Sequence, residues 1–222
     1  MVFDLDGTLV DSVPDIARAI DATLADSGYP TLGAARIRAL IGDGATKLVS
    51  RAVNVALGRP VLDGPVPAEV DVPALVGRFR AHYLDHLCDE TRPYPGVAEL
   101  LDALSAAGCR LTVLTNKPGD SARLLLDRLA LRRWFSDVIG DGDGYPTKPA
   151  PDAVMALAAR HGVAPARVLV AGDGIPDLMA ARSAGVAVAA VTWGYVARAV
   201  QERYRPDWVV ATPMGILDIL RS

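Results

Sequence analysis

The chain has 222 residues, 51% of them hydrophobic and 22% charged, and its formal net charge is -3. This length allows one large domain or a modest domain with an insertion, and it can bury a core that needs no disulfide or metal. The composition excludes a disordered or collagen-like chain, and the acidic excess with only 5% aromatic residues argues against a nucleic-acid partner.

The N-terminal segment reads MVFDLDGTLVD, and no basic leader precedes an apolar run in it, so we expect no signal peptide. The most apolar stretch, 186–191, is far shorter than the roughly 18 residues of a membrane span. Cys88 and Cys109 lack the spacing of a redox or zinc motif and are expected to be free thiols. We therefore expect a cytoplasmic protein with no membrane partner.

The next part of the chain, 13–92, has the apolar spacing of helices and no convincing strand. Ser12 is placed to cap a first helix, with Asp15 at its third position. Further helices are predicted at 31–39, 46–57 and 72–88, separated by a glycine-containing loop at 42–44 and a proline-rich stretch at 60–73. We predict an all-helical unit inserted after the first strand-turn segment, 2–8.

The C-terminal part alternates short apolar runs with longer amphipathic segments. Strands are predicted at 110–115, 136–140, 167–172 and 186–191, and helices at 119–130, 151–161 and 175–184. Continuous apolar strands separated by helices indicate a parallel sheet that is covered on both faces. We predict an α/β fold, a doubly wound Rossmann-like sheet built from 1–12 and 93–222, with a helical domain inserted at 13–92.

Polar residues follow the predicted strands at the points where they end. In an open α/β sheet, ligands bind outside the carboxyl ends of the strands, so these residues are expected to form one site. Each alone also fits a structural role such as a turn or a helix cap. They are Asp4, Asp6, Thr115, Asn116, Lys148, Asp173 and Asp177.

Lysine is rare in this chain: Lys47, Lys117 and Lys148 are the only three among 23 lysines and arginines. A lysine at 148 therefore indicates a need for a compact ammonium group. Four carboxylates at one site would repel each other and an anionic substrate, and Mg²⁺ would remove that repulsion. With one aspartate attacking phosphorus and another carboxylic acid protonating the leaving oxygen, the set suits phosphoryl chemistry.

Four motifs in this order resemble the haloacid dehalogenase superfamily of phosphohydrolases. They are FDLDGTLVDS at 3–12, VLTNKPG at 113–119, TKPAPDAV at 147–154 and VAGDGIPDLMAARSAG at 170–185. The resemblance implies that Asp4 is the nucleophile and that Asp6 is the general acid and base. It further implies that Mg²⁺ is held by Asp4, by the backbone carbonyl of Asp6 and by Asp173.

The resemblance also assigns the remaining residues of the expected site. Thr115 and Lys148, with Asn116 beside them, would hold the transferring phosphoryl group. Asp177 would orient the site without contacting the metal. The partner implied is a small phosphorylated metabolite, and whether the chain is a monomer or a homodimer is left open.

The helical insertion resembles the small cap of the phosphoglycolate phosphatase subgroup, through RALIGDGATKLVSRAV at 38–53 and HLCDETRPYPGV at 86–97. This implies hydrolysis of 2-phosphoglycolate to glycolate and phosphate. The loop that includes Gly44 could present backbone N–H groups to the substrate carboxylate, and Lys47 or Arg51 a positive charge. Lys47 and Arg51 lie four apart on a helix and could equally form an exposed basic strip.

The sequence departs from the family pattern in three places and leaves other functions open. Gly174 replaces the usual Ser or Thr, Pro176 is uncommon at its position, and the first strand is short. Asp6 argues against a dehalogenase. The alternatives are a pyrophosphatase or broad sugar-phosphate phosphatase, a phosphonate hydrolase with Lys47 as a Schiff base, and a binding or regulatory protein with a decayed site.

Overall fold

The computed structural model describes residues 1–59 and 63–220, and its internal contacts divide the chain into two units. One unit comprises Met1–Asp11 and Arg92–Ser222, and the other comprises Ser12–Thr91. The sequence prediction was 13–92 for the inserted unit, so the structural bounds fall one residue earlier at each end. Residues 60–62 of the predicted proline-rich stretch lie outside the described residues.

The larger unit contains a six-stranded sheet in the order β5-β4-β1-β6-β7-β8, and all its neighbouring strands are parallel. In chain order, the strands of the described residues are β1 (Val2–Phe3), β2 (Val10–Asp11), β3 (Arg92–Pro93), β4 (Leu111–Pro118), β5 (Phe135–Asp141), β6 (Leu169–Gly172), β7 (Ala187–Val191) and β8 (Trp208–Val210). Strands β2 and β3 form a separate antiparallel pair. The predicted parallel α/β sheet is confirmed.

Helices pack against this sheet and build the inserted unit. In chain order they are α1 (Val13–Asp26), α2 (Ala34–Arg38), α3 (Ala45–Ala56), α4 (Val72–Asp85), α5 (Val97–Ala106), α6 (Gly119–Arg128), α7 (Asp152–Arg160), α8 (Ile175–Ala184), α9 (Arg198–Gln201) and α10 (Met214–Ile219). Helix α6 packs against β4 and β5, and α8 packs against β6 and β7. Among the described residues, no helix is both long and apolar enough to cross a membrane.

The central strands are buried on both faces, which explains their continuous apolar sequence. Seven of the eight residues of β4 are buried, and since neighbouring strand residues point to opposite faces, both faces must be covered. The short strand β1 lies between β4 and β6, with Val2 opposite both Thr112 and Val170. Asp4 therefore leaves the sheet at its centre, where its N–H still donates to the carbonyl of Ala171 at 3.0 Å.

The inserted unit is a helical bundle in which α1 packs on α2 and α4, and α3 packs on α4. Its helices are shorter than predicted at two places, because the helix expected at 31–39 covers Ala34–Arg38 and that expected at 72–88 ends at Asp85. Ser12 does occupy the N-cap position of α1, but its side chain makes no capping bond there. The capping role predicted for the Ser12 side chain is therefore wrong.

Asp15 explains why the start of α1 is organised differently. Its carboxylate is fully buried and accepts the N–H groups of Glu90 and Thr91 at 2.7–3.1 Å, together with the Thr91 hydroxyl at 2.7 Å. Arg18 adds a longer contact at 3.3 Å. The two ends of the inserted unit are thus tied together by one side chain.

Several short elements were not predicted from the sequence. The pair β2–β3 aligns Val10 with Pro93 and Asp11 with Arg92, so the chain leaves and re-enters the larger unit at adjacent points. Strand β8 has three residues and a half-exposed start, a pattern too short for a reliable period. Cys88 and Cys109 are both free thiols, as expected.

Candidate active site

The candidate site lies at the carboxyl ends of the three central strands of the larger unit. Asp4 follows β1, Thr115 belongs to the last half of β4, and Asp173 follows β6. The sheet order places β1 between β4 and β6, so residues more than a hundred positions apart in the chain become neighbours. This is the edge at which open parallel sheets bind their ligands.

Lys148 joins two of the predicted carboxylates. Its ammonium donates to Asp4 Oδ1 at 2.7 Å, to Asp177 Oδ1 at 2.5 Å and to the carbonyl of Leu114 at 2.8 Å. The side chains of Lys148 and Asp177 are only 3% and 2% exposed, whereas that of Asp4 is 13% exposed. The Asp4 carboxylate is therefore partly exposed to solvent, while one of its oxygens accepts a hydrogen bond from the buried Lys148 ammonium.

Asn116 supports this lysine through its backbone. The Asn116 side-chain amide donates to the Lys148 carbonyl at 2.9 Å, and the Lys148 N–H donates to the Asn116 side-chain oxygen at 2.8 Å. Thr115 is buried beside it, and its hydroxyl oxygen accepts the N–H of Lys117 at 3.1 Å. Both polar positions of Asn116 are thus engaged with the loop that carries Lys148.

Asp6 has a partner that sequence reasoning did not assign to the site. The Lys117 ammonium donates to both carboxylate oxygens of Asp6, at 2.8 and 3.0 Å, and the two side chains are 5% and 12% exposed. Gly140 lets the chain approach here, because a Cβ at that residue would lie 2.5 Å from the Lys117 carbonyl oxygen. The rarity of lysine was the one sequence signal that could have identified Lys117.

Asp173 is held by residues from three other segments, none of which was predicted for the site. The Thr8 hydroxyl donates to Asp173 Oδ1 at 3.0 Å and accepts the Asp173 N–H at 3.1 Å. The N–H of Tyr195 donates to Asp173 Oδ2 at 2.7 Å. The fully buried Gln201 amide donates to the Asp173 carbonyl at 2.9 Å and to the Val191 carbonyl at 2.8 Å.

Two glycines allow the backbone to close around Asp173. Gly7 has a φ of +88°, and a Cβ there would lie 2.6 Å from both carboxylate oxygens of Asp173. At Gly194 a Cβ would lie 2.4 Å from both the Asp173 Cβ and the Gly7 carbonyl oxygen. Any side chain at either position would displace the carboxylate.

Asp177 closes the first turn of α8 as well as holding Lys148. Its Oδ2 accepts the N–H of Gly174 at 3.0 Å, and Pro176 lies in the first turn, where the lack of an N–H is harmless. The departure at Gly174 leaves the backbone of this turn intact. Pro176 likewise fits its position without strain.

Burial and mutual repulsion disturb the titration of the carboxylates. Burial and the charge of Asp177 raise the pKa of Asp4 above its usual value, although Lys148 opposes the shift. Burial and Asp177 also raise the pKa of Asp173 to about 6. Burial lowers the pKa of Lys148, but Asp177 and Asp4 outweigh it and raise that pKa. The site carries an excess of buried negative charge.

A divalent cation fits this excess. Oxygen atoms of Asp4, Asp173 and Asp177 all lie within 4.8 Å of one another. Hard oxygen donors are the ligands that Mg²⁺ prefers, and a cation there would offset the repulsion that raises the two carboxyl pKa values. Each of the three carboxylates is held in place by hydrogen bonds: Asp4 accepts from Lys148, Asp173 from Thr8 and Tyr195, and Asp177 from Lys148 and Gly174.

The candidate substrate residues of the inserted unit lie on α3: Gly44 and Lys47 at its start and Arg51 in its middle. Gly44 is the N-cap residue, with a φ of +87°. The Arg51 guanidinium pairs with Asp43 at 2.7 Å and with Asp63 at 2.6 Å, and its side chain is 13% exposed. Lys47 is 60% exposed and lies 3.9 Å from the same Asp43. Arg51 is thus engaged within its own unit, whereas Lys47 is largely open to solvent.

Comparison with known proteins gives consistent matches over the whole chain. The family model of haloacid dehalogenase-like hydrolases matches residues 1–185. The phosphoglycolate phosphatase of Escherichia coli K12 is 36% identical over 99% of this chain and 91% of its own, and that of Haemophilus influenzae is 36% identical over 98% and 96%.

Solved structures match equally well. A protein described as a predicted phosphoglycolate phosphatase from Haemophilus somnus 129pt superposes with a TM-score of 0.88 at 34% identity, covering 99% of this chain and 96% of its own. A haloacid dehalogenase-like family hydrolase from Streptococcus pneumoniae superposes with a TM-score of 0.83 at 25% identity, with the same coverage. The likeness covers both the sheet and the inserted helices.

Proposed function

The chain belongs to the haloacid dehalogenase-like hydrolases, and from this membership we propose that it is a Mg²⁺-dependent phosphomonoester hydrolase that acts on 2-phosphoglycolate. The observation that carries the proposal is the pairing of Asp4 with the buried Lys148 ammonium. It gives a carboxylate fixed at the centre of the sheet and a cation beside it for the incoming phosphoryl group. That is the arrangement that nucleophilic attack on phosphorus needs.

Asp4 and Asp6 divide the chemistry of the first step. An Asp4 carboxylate oxygen forms a bond to phosphorus while the bond from phosphorus to the ester oxygen breaks. Asp6 gives its proton to that oxygen, and the alcohol leaves. An aspartyl-phosphate on Asp4 results.

The second step reverses the role of Asp6. A water molecule gives a proton to the Asp6 carboxylate. The water oxygen attacks phosphorus, and the bond between phosphorus and Asp4 breaks. Inorganic phosphate leaves, and Asp4 and Asp6 return to their starting states. Lys148 and the Thr115 hydroxyl stabilise the phosphoryl oxygens in both steps, and Asn116 serves by holding the Lys148 backbone.

Asp4, the Asp6 carbonyl and Asp173 would hold Mg²⁺, and Asp177 would position Lys148 from behind. When bound, the cation neutralises the carboxylates and the charge on the phosphoryl group. Asp173 is well suited to this role because Thr8 and the Tyr195 N–H fix both its oxygens. Such outer contacts orient metal ligands and tune their affinity.

The choice of 2-phosphoglycolate is supported by the relatives named phosphoglycolate phosphatase, which match almost the entire chain. The phosphoryl-binding residues recognise a group that all phosphomonoesters share, so selection has to involve the leaving group. Gly44, Lys47 and Arg51 stay predicted substrate residues. The engagement of Arg51 with Asp43 and Asp63 makes Lys47 the better candidate of the two cations.

The experiment is phosphate release by the purified chain from 2-phosphoglycolate, glucose 6-phosphate, pyrophosphate and p-nitrophenyl phosphate, with Mg²⁺ and with EDTA. We expect the highest kcat/KM on 2-phosphoglycolate and no release in EDTA. A higher value for pyrophosphate or glucose 6-phosphate would replace the substrate and keep the phosphatase. Absence of release from all four substrates would favour a binding or regulatory protein.

A further inference from the structure

We propose that Lys117 recognises a negatively charged group on the leaving-group half of the substrate, such as a carboxylate one carbon away from the ester oxygen. The inference rests on the proposed function, because it takes Asp6 as the acid that protonates the leaving oxygen. It adds to that function a residue of the larger unit that selects the substrate.

The position of Lys117 follows from its contact with Asp6. A general acid must lie within hydrogen-bond reach of the oxygen that it protonates. The Asp6 carboxyl group therefore faces the leaving group, and the Lys117 ammonium lies 2.8 Å from Asp6 Oδ2 and 3.0 Å from Oδ1. The ammonium is consequently two hydrogen bonds from the leaving oxygen, which puts it within reach of a carboxylate on a short alcohol.

Lys117 and Lys148 contact different carboxylates of the site. The Lys148 ammonium contacts Asp4 and Asp177, on the side where the phosphoryl group is attacked. The Lys117 ammonium contacts Asp6, on the side where the alcohol leaves. Two of the three lysines in the chain thus lie at the candidate site, Lys148 beside Asp4 and Lys117 beside Asp6.

The Lys117 backbone is held so that its side chain has little freedom. Its N–H donates to the Thr115 hydroxyl at 3.1 Å, and its carbonyl oxygen lies where a Cβ at Gly140 would come within 2.5 Å. The Lys117 side chain is 5% exposed. A fixed ammonium that is nearly out of water pairs more strongly with an anion than a mobile surface lysine does.

Without Lys117, the negative charges of the site would weaken the binding of a substrate whose leaving group is an anion. Asp4, Asp173 and Asp177 lie together at the same edge of the sheet, and their carboxylates would repel a second negative group on the substrate. The Lys117 ammonium carries a full positive charge, which attracts a substrate carboxylate as well as the Asp6 carboxyl group. A neutral leaving group would gain nothing from this cation.

The test compares 2-phosphoglycolate with ethyl phosphate, whose leaving group is of similar length and uncharged. We expect Lys117→Met to lower kcat/KM on 2-phosphoglycolate by about 10- to 100-fold more than on ethyl phosphate, since a charged hydrogen bond is lost only with the first. Most of this difference should lie in KM. Lys117→Arg should restore part of the preference, because it keeps the charge.

Arg128→Met is the control, because it removes a positive charge from the exposed last residue of α6. A change of the substrate ratio in Arg128→Met as large as that in Lys117→Met would overturn the inference. Equal losses on both substrates in Lys117→Met would also overturn it, since Lys117 would then act only by holding Asp6. If Lys117→Met does not fold, Lys117→Gln gives the same comparison with a donor kept for Asp6.

The outcome also separates this inference from the proposed function. Wild-type protein that hydrolyses both esters with unequal losses in Lys117→Met supports the two together. Hydrolysis of both esters with equal losses removes the inference and leaves the phosphatase in place. Absence of hydrolysis by wild type removes both.

Discussion

Thr8 and Asp173 lie 165 residues apart in the chain and hold each other by two hydrogen bonds. The Thr8 hydroxyl donates to the Asp173 carboxylate at 3.0 Å and accepts the Asp173 N–H at 3.1 Å. Both residues are almost fully buried. One hydroxyl therefore fixes the orientation of a proposed metal ligand from both its side chain and its backbone.

Thr8→Val should raise the Mg²⁺ concentration needed for half-maximal phosphate release by about 10- to 100-fold, the usual range for loss of a residue that orients a metal ligand. The substitution keeps the shape of the side chain and removes only the hydroxyl. Activity is measured against Mg²⁺ concentration, starting from protein treated with EDTA. Thr112→Val, another buried threonine whose hydroxyl donates to the Met1 carbonyl, is the control and should not change the Mg²⁺ requirement.

Asp4→Asn should abolish phosphate release from every substrate while leaving the protein folded. The amide cannot attack phosphorus, and Lys148 keeps its contacts with Asp177 and the Leu114 carbonyl. Phosphate release is measured together with the circular dichroism spectrum. More than a tenth of wild-type activity in a folded variant would rule out Asp4 as the nucleophile.

Asp6→Asn should lower kcat on 2-phosphoglycolate by about 10²- to 10⁴-fold, the range for loss of a general acid. The loss on p-nitrophenyl phosphate should be smaller, because nitrophenolate leaves without protonation. Steady-state kinetics on the two substrates give the comparison. The same loss on both would contradict an acid role for Asp6.

Asp15→Asn should lower the free energy of unfolding by about 3 kcal/mol, because an amide places a donor against buried N–H and O–H donors. Glu90 and Thr91 supply those donors, and no solvent reaches the carboxylate to replace it. Urea denaturation followed by circular dichroism measures the change. Asp26→Asn removes the charge from the solvent-accessible Asp26–His82 pair and should cost less than about 1 kcal/mol.

Asp143 should make stability depend on pH. Hydrogen bonds from Arg123 lower the pKa of Asp143, and the Gly140 N–H adds to the effect. A carboxyl group whose pKa is lower in the folded than in the unfolded protein stabilises the folded state at any pH above its unfolded-state pKa of about 3.9. This stabilisation is lost as the pH falls through its folded-state pKa. Asp143→Asn should therefore be less stable than wild type at pH 7, and the gap should close below about pH 4.

Urea denaturation at pH 7, 5 and 3 tests this. Asp120→Asn is the matched control, because Asp120 pairs with the same Arg123 but its side chain is fully exposed. We expect only a small, weakly pH-dependent change from it. A gap for Asp143→Asn that is unchanged at pH 3 would show that its origin is not the carboxylate charge.

The parallel sheet could be predicted from the sequence, because apolar runs and the polar residues at their ends are local patterns. The same patterns predicted that the residues at the strand ends share one edge of the sheet. The structure does place Asp4, Lys148 and Asp177 in contact. It could not be foreseen that Asn116 faces the Lys148 backbone, because that contact depends on how a loop folds over β4.

Other residues were missed for the same physical reason. Thr8, Tyr195 and Gln201 reach Asp173 from distant segments, and two of them act through or upon backbone groups that carry no sequence signal. Lys117 had a signal in its rarity, but nothing in a linear sequence paired it with Asp6. Asp15 fitted a helix-start pattern, and the contact with Thr91 overrode that pattern.

The pairing of β2 with β3 holds together the two points of the larger unit between which the helices are inserted. The chain leaves at Asp11 and returns at Arg92, which are already opposite each other, so the insertion closes a loop whose ends are fixed. Loop closure costs only about 0.6 kcal/mol for each doubling of length. Exchange of the helices for a short hairpin turn, or for a different domain, would therefore change the loop-closure cost by only about 3 kcal/mol. The junction permits the inserted unit to be replaced while the two paired ends of the larger unit stay together.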